Sequence, residues 1–325
     1  MDIVCCPDKN YVMPTGIMMC SLCENNKEEE VTFHVMHTDL TAEHERSLKN
    51  ITERYEKKSI CFYKISQNDL LNVKLGEKGQ QKLSISTYYR LLMSSLLPEN
   101  VRRVIYLDGD IVVCGNLKGL WNEDMECFAL AGVPDAKLHQ GKIEQTYNQL
   151  KYSPSLGYFN AGVLLVNLDY WRKHNSIKEI FDFVKSTKNG FLHHDQDILN
   201  YVFREKKKFL PLKYNLMPEF LLWPPYRLIS WEYDEEIDQE AARSPVIIHY
   251  SIAKPWIKGY DHPYREEFLK YKSLTEWKDL PLKANIKVRI KRVIKRILVH
   301  FKVLDKGRIP QWQYTYGDLQ IKDNN

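Results

Sequence analysis

What the chain lacks narrows it first. None of its 325 residues form a run of about 18 apolar positions, the length a membrane-spanning helix needs. Its start, Met-Asp-Ile-Val-Cys-Cys-Pro-Asp, has neither the basic stretch nor the apolar stretch of a secretory signal. The seven cysteines are odd in number and scattered (Cys5, Cys6, Cys20, Cys23, Cys61, Cys114 and Cys127), which argues against a disulfide framework. Cys20-x-x-Cys23 has no second pair to complete a zinc site, so two buried thiols on one helix are expected. A reducing, cytoplasmic compartment suits this usage. No internal repeat and no low-complexity segment interrupts the chain. Two nucleotide devices are also missing: a glycine-rich dinucleotide fingerprint after the first apolar run, and a phosphate loop ending in Gly-Lys-Ser/Thr. If a sheet here binds a nucleotide, it does so by other means.

What is present fits one large α/β domain with an appendage. Apolar residues make up 44% of the chain, an ordinary globular share. Aromatics reach 12%, with 20 tyrosines, a mild pointer to sugar surfaces or interfaces. Strands are expected at Asp2–Cys6, Val31–His37, Ile60–Ile65, Arg103–Leu107, Phe128–Val133, Gly162–Val166 and Val246–His249. Helices are expected from Pro14 to Glu24, at Thr41–Tyr55 with Thr41 as N-cap, at Ser84–Leu97, Ile177–Lys188 and Asp195–Glu205. Strands that alternate with helices imply an open, largely parallel sheet. Lys74–Lys82 reads as a loop, and 212–244 as a long irregular segment of the kind that lines binding sites.

The sharpest feature is Val104-Ile-Tyr-Leu-Asp-Gly-Asp-Ile-Val-Val113. Asp108 and Asp110 end an apolar, strand-like run. Ionised carboxylates are costly to bury without positive partners, and residues i and i+2 of a strand share a face. The pair therefore has the spacing to converge on one divalent cation, with Gly109 admitting a ligand close to the backbone. Ligands of α/β sheets bind beyond the carboxyl ends of the strands. A phosphatase with Asp108 as nucleophile shows a similar pattern, but it continues with Thr where Val112 stands here.

Other polar residues sit in apolar settings: Asp8, Asn10 and Tyr11; Arg90; Asn160; the run His193-His194-Asp195-Gln196-Asp197; and His249 with Lys254-Pro255-Trp256. Each alone has an ordinary structural reading as a surface pair, a cap or a core histidine. In order, however, Tyr-Leu-Asp-Gly-Asp, Phe-Asn-Ala-Gly-Val-Leu-Leu, His-Asp-Gln-Asp-Ile-Leu-Asn and His-Tyr-(x)-Lys-Pro-Trp resemble glycosyltransferase family 8, nearest to bacterial lipooligosaccharide galactosyl- and glucosyltransferases. The likeness covers roughly residues 1–280. It implies a GT-A type nucleotide-sugar fold and retaining transfer of galactose or glucose from a UDP-hexose to a saccharide of a surface glycolipid. It also implies Mn²⁺, with Mg²⁺ as the alternative ion, held by Asp108, Asp110 and His249.

On the same resemblance, Cys6, Asp8, Asn10 and Tyr11 would hold uracil and ribose. Arg90, Asn160, Asp195 and Gln196 would surround the donor sugar, Asp108 and Gly109 would also contact the nucleotide-sugar, and Lys254 would reach the diphosphate. Gln196, Asp195 and Asp197 are the catalytic candidates: Gln196 near the anomeric carbon, Asp197 as a covalent nucleophile if one exists. One departure stands out. The linker Tyr250-Ser251-Ile252-Ala253 lacks the family's Gly and is one residue short.

Beyond residue 280 the character changes. From Lys283 to Arg308 ten basic residues face one acid, so this stretch carries +9 of a net +5 and leaves a mildly acidic body. Ile286, Ile290, Val293, Ile294, Ile297, Phe301 and Leu304 share one helical face. A basic amphipathic helix of this kind attaches to anionic membrane surfaces, so residues 281–325 are expected to hold the enzyme on the inner face of a bacterial plasma membrane. The acidic body argues against nucleic acid as partner. The rival from another class is a UDP- or carbohydrate-binding protein without catalysis.

Overall fold

The structure is a computed structural model. It describes residues 1–66, 85–135, 143–187, 190–218, 241, 243–251, 254–258, 262 and 264–284, and beyond them Ile286, Ile290, Val293, Ile294, Ile297, Leu298 and Phe301. The expected loop at 74–82, most of the irregular 212–244 segment, Ile252–Ala253 of the linker and most of the tail lie outside the described residues.

The chain runs β1 (Asp2–Cys5), α1 (Val12–Asn25), β2 (Val31–His37), α2 (Ala42–Thr52) and β3 (Lys58–Lys64). After a 3₁₀ helix at Ile85–Leu92 come α3 (Met93–Leu96), β4 (Arg103–Leu107), β5 (Ile111–Val113), α4 (Lys118–Trp121), β6 (Leu130–Pro134), α5 (Ile143–Leu150) and β7 (Phe159–Asn167). The remainder is α6 (Leu168–Lys173), α7 (Ser176–Ser186), α8 (His194–Val202), β8 (Lys207–Phe209), β9 (Ile247–His249), β10 (Ile257–Lys258), α9 (Arg265–Ser273) and β11 (Lys283–Ala284).

Seven strands form one sheet in the order β3-β2-β1-β4-β7-β6-β8. Only β7 runs against its neighbours; the other pairings are parallel. From β1 the chain winds outward to β2 and β3, then returns to place β4 on the other side of β1. Order reverses there, and the carboxyl ends of β1 and β4 open a crevice.

Period-two alternation fills both faces of the sheet. Ile3, Phe33, Val35, Ile105 and Leu107 point into a core shared with α1, while Val4, Met36, Val104, Tyr106 and Leu164 point into a second core under α6, α7 and α8. The expected buried thiols are there: Cys20 and Cys23 lie on α1, both fully enclosed. Thr41 caps α2 as expected, accepting from the His44 N–H.

Three local expectations change. Residues 85–92 form a 3₁₀ helix rather than the start of a long α-helix, and Tyr88 to Leu92 within it are all buried. Asp195 is not a cap; His193 holds that position and Asp195 lies inside the first turn of α8. The strand carrying the acidic pair stops at Leu107, so Asp108-Gly109-Asp110 is a turn between β4 and β5 and not a pleated continuation.

Behind β9, the buried His262 ring lies 4.5 Å from that of Tyr250, whose hydroxyl donates to the Tyr264 carbonyl at 2.7 Å. His262 Nδ1 accepts from the Tyr264 N–H at 3.1 Å, a bond only the unprotonated nitrogen can make. Burial pushes the imidazole down to about 3, with the His249 and Lys254 charges acting in the same direction. The unfolded chain therefore binds the extra proton first. Stability should be unaffected by this group above about pH 6.5 and fall below it by roughly 1.4 kcal/mol per pH unit, until about pH 3. Urea unfolding at stepped pH should show a shallower decline in His262→Phe than in the native chain; parallel curves would contradict this account.

Candidate active site

Two short strands assemble the site. β5 pairs antiparallel with β9, Ile111 opposite His249 and Val113 opposite Ile247. The Tyr250 N–H donates to the Asp110 carbonyl at 2.9 Å, so the ladder carries on to the acidic turn itself. On the other side the Asp108 N–H donates to the Gly162 carbonyl at 2.9 Å. The turn is therefore held from both flanks. Gly109 is required by closeness: a Cβ there would lie 2.5 Å from Thr15 Oγ1.

Ligand atoms of Asp108, Asp110 and His249 all fall within 4.8 Å of one another. His249 Nε2 is 3.5 Å from Asp110 Oδ1 and 3.9 Å from Asp108 Oδ2. Two carboxylates and an imidazole form a mixed oxygen and nitrogen set of the kind that holds a divalent metal ion. The residues present fit a divalent ion.

The charges are balanced by two buried or half-buried cations. Arg90 reaches Asp108 Oδ1 at 2.8 Å and Asp195 Oδ2 at 2.9 Å, donates to the Ala161 carbonyl at 2.5 Å, and stacks 4.2 Å over the Tyr106 ring. Tyr106 adds its hydroxyl to Asp108 Oδ1 at 2.8 Å. Lys254 pairs with Asp110 and donates to the Tyr250 and Ser251 carbonyls. Burial alone would raise the Asp110 carboxyl; Lys254 and His249 overcome it and hold that group far below the usual range. Asp195 goes the other way. Burial pushes it up to about 7 even with Arg90 opposing, because Asp108 and Asp197 add like charge.

A cavity of about 700 Å³ opens over this arrangement. It is lined by Cys6, Asp8, Asn10 and Tyr11 from the β1–α1 loop, by Arg90, Asp108, Gly109 and Asp110, by Asn160, Asp195 and Gln196, and by His249 and Lys254. Asp8 Oδ1 accepts from the Asn10 N–H at 2.7 Å, which shapes the loop. Burial raises the Cys6 thiol well above its ordinary range. One candidate is placed elsewhere. Asp197 is not part of the lining; its two oxygens accept from the Tyr158 hydroxyl at 2.5 Å and the His193 N–H at 2.8 Å.

Sequence reasoning missed three polar residues in this neighbourhood. Tyr106 supports Asp108 and sits on β4 itself. Asp135 follows β6 directly and accepts from Asn160 Nδ2 at 3.0 Å and Gln196 Nε2 at 2.9 Å. Its signal was the one that exposed Asp108, a carboxylate at the end of an apolar run. Asn215 faces His249 Nδ1 at 2.9 Å from a segment with no periodicity to read.

These features have counterparts in known proteins. The model of Glycosyl transferase family 8 matches residues 2–259. The chain belongs to glycosyltransferase family 8. It is 30% identical over 306 residues to an Escherichia coli lipopolysaccharide 1,2-glucosyltransferase, covering 92% of this chain and 86% of that one. It is 26% identical to the lipopolysaccharide 1,3-galactosyltransferase of Salmonella typhimurium, with 83% and 77% covered. General stress protein A of Bacillus subtilis is 28% identical, with 85% and 94% covered. Among solved structures, the galactosyltransferase LgtC in complex with donor and acceptor sugar analogs superposes with a TM-score of 0.71 at 25% identity, covering 90% of this chain and all of that one. The fold is thus GT-A-like, and the chain is a glycosyltransferase of this family; the phosphatase expectation falls away.

Arg90 is the electrostatic hub, 7% exposed at its side chain and set between two carboxylates. Removing it leaves the buried Asp195 without its counter-charge and Asp108 with only the Tyr106 hydroxyl on that side. Arg90→Met is expected to cost about 3–5 kcal/mol in urea unfolding; a loss below about 1 kcal/mol would show that the two ion pairs are solvated in practice.

Proposed function

We propose that this family 8 enzyme transfers galactose or glucose from a UDP-hexose to a saccharide of a surface glycolipid, with retention at the anomeric carbon and with Mn²⁺ bound. The observation that carries the reading is the convergence of Asp108, Asp110, His249, Lys254, Asp195 and Gln196 on one cavity at the sheet's switch point. The family's lipopolysaccharide hexosyltransferases support the sugar and acceptor class.

Asp108, Asp110 and His249 would hold the metal, which when bound supplies positive charge against the departing diphosphate. Lys254 adds a point charge from the same side. Asp8 accepts from the uracil N–H, and Cys6, Asn10 and Tyr11 complete the uridine pocket. Asp195, held by Arg90, accepts from donor-sugar hydroxyls, and Gly109 and Asn160 line the route between nucleotide and sugar. Gln196 is fixed by two hydrogen bonds, accepting from the Ala161 N–H at 2.9 Å and donating to Asp135. An amide so held acts by its dipole and not as a nucleophile. With both oxygens of Asp197 already engaged outside the cavity, the geometry favours attack by the acceptor hydroxyl from the face that UDP leaves.

The test is UDP release from UDP-galactose and from UDP-glucose, each with Mn²⁺ or with EDTA. Release with one donor, dependent on Mn²⁺ and reduced by at least about 100-fold in Asp110→Asn, is the expected result. Tight UDP binding without turnover would instead favour the binding-protein reading.

We assign residues 1–280 to catalysis and 281–325 to attachment on an anionic membrane surface, the inner face of the plasma membrane of a bacterium. No described helix is long and apolar enough to cross a membrane. Ile286, Ile290, Val293, Ile294 and Ile297 are helical, and these five and Phe301 expose 49 to 71% of their surface, so the described apolar residues of this face are open to an external surface. Each basic neighbour contributes about 1 kcal/mol near such a surface. Truncation after Ala284, which keeps β11 on β10, should abolish flotation with anionic liposomes and leave UDP release intact; unchanged flotation would remove the tail from this role.

A further inference from the structure

The hydrogen bonds behind the site fix more than side-chain positions. They fix which nitrogen of His249 carries its proton, and the direction can be read outward from backbone groups that can only donate. The Gly162 N–H donates to Asn160 Oδ1 at 2.9 Å. The Asn160 amide is therefore turned with its oxygen toward Gly162, and its nitrogen toward the Asp135 carboxylate at 3.0 Å. Asn215 meets that same Asn160 oxygen at 3.0 Å, so the atom it offers must be Nδ2. Its remaining atom, Oδ1, then faces His249 Nδ1 at 2.9 Å. An amide oxygen only accepts, so the proton of a neutral His249 sits on Nδ1. Nε2 is left with its lone pair, directed toward Asp108 and Asp110.

The placement is tight. Asn215 is fully buried, and the next residue, Leu216, bridges to Ile248 on β9, with the His249 N–H donating to the Leu216 carbonyl at 3.0 Å. The ring itself occupies the space a side chain at Gly162 would need, since a Cβ there would lie 2.3 Å from His249 Cε1. The Gly162 N–H that orients the network and the missing Cβ that admits the ring thus belong to one residue.

We propose that Asn215 is a positioning residue that makes His249 a metal ligand, by holding the Nδ1 proton and so presenting the Nε2 lone pair to the cation. This rests on the reading that Asp108, Asp110 and His249 hold a divalent ion. Partners of this kind set ligand tautomer and ring orientation, and their loss costs about 10–100-fold in metal affinity.

The experiment measures Mn²⁺ binding to the full chain in the presence of UDP, by the electron paramagnetic resonance of free Mn²⁺. Asn215→Ala is expected to weaken binding about 10–100-fold. Asn215→Asp keeps the acceptor for the Nδ1 proton but gives up the donor to Asn160 Oδ1, and is expected to fall between Asn215→Ala and the native chain. Equal loss in both variants, or loss in neither, overturns the proposal while leaving the metal site standing. Failure of the native chain to bind Mn²⁺ overturns the metal-site reading and this inference together. A second measurement needs no change at Asn215. Nitrogen-15 spectra of the metal-free native chain, with the His249 resonances identified by their absence in His249→Gln, should show the proton on Nδ1. A proton on Nε2 would overturn the assignment.

Discussion

The site depends on a ladder of three residues. β5 follows the acidic turn and β9 ends in His249, and only their antiparallel register sets the histidine beside Asp110. A one-residue slip in a strand pairing sends every side chain to the opposite face. Here a slip would carry the imidazole into the core and leave two carboxylates facing water. The ladder is guarded against that. Leu216 bridges Ile248 on the far side, the Val246 carbonyl accepts from Cys114 at 2.8 Å, and Val112, Val113, Ile247 and Ile248 are fully buried. Each of those side chains contributes about 1.5–3 kcal/mol by leaving water, so apolar burial anchors the ladder and its hydrogen bonds to neighbouring segments fix the register.

The charges themselves are a cost that the fold offsets locally. Asp108, Asp110 and Asp195 lie in one half-closed cavity, and carboxylates so close disfavour joint ionisation. Arg90 serves two of them and Lys254 the third. Guanidinium suits the double role because its fork meets two acceptors at once and stacks on an aromatic face, here Tyr106. The outcome is a turn kept anionic at Asp110 and a neighbour, Asp195, poised near neutrality. Two aspartates of equal chemistry are thereby set apart by surroundings alone.

The sequence made the first half of this legible because its signals are local. The strands β1, β2 and β4, the Thr41 cap and the acidic pair at a strand end follow from periodicity and short-range chemistry. The motif order carried the family, and through it the placement of Asn160, Gln196 and His249 in one cavity. What stayed hidden is non-local. β5 and β8, three residues each, were not expected from the sequence. The 3₁₀ helix at Ile85–Leu92 stands where the local pattern favours an α-helix. Asn215 is one polar residue in an irregular segment, and only its distances to His249 and Asn160 distinguish it from a surface asparagine.

The run Asp195-Gln196-Asp197 shows why proximity in sequence could not assign the chemistry. On a helix, successive side chains diverge by about 100°. The first turn of α8 therefore sends three polar groups three ways: Asp195 to Arg90, Gln196 to Ala161 and Asp135, Asp197 back to Tyr158 and His193. Only the first two reach the cavity. The third closes the helix start from behind, accepting from a backbone N–H four residues upstream in chain order, the position where a carboxylate also meets the positive end of the helix dipole. Its removal would loosen the turn that aims its two neighbours, so loss of activity on mutating Asp197 is no proof of a covalent intermediate. The arrangement that directs Gln196 into the cavity is held in place by the residue that most resembles a nucleophile.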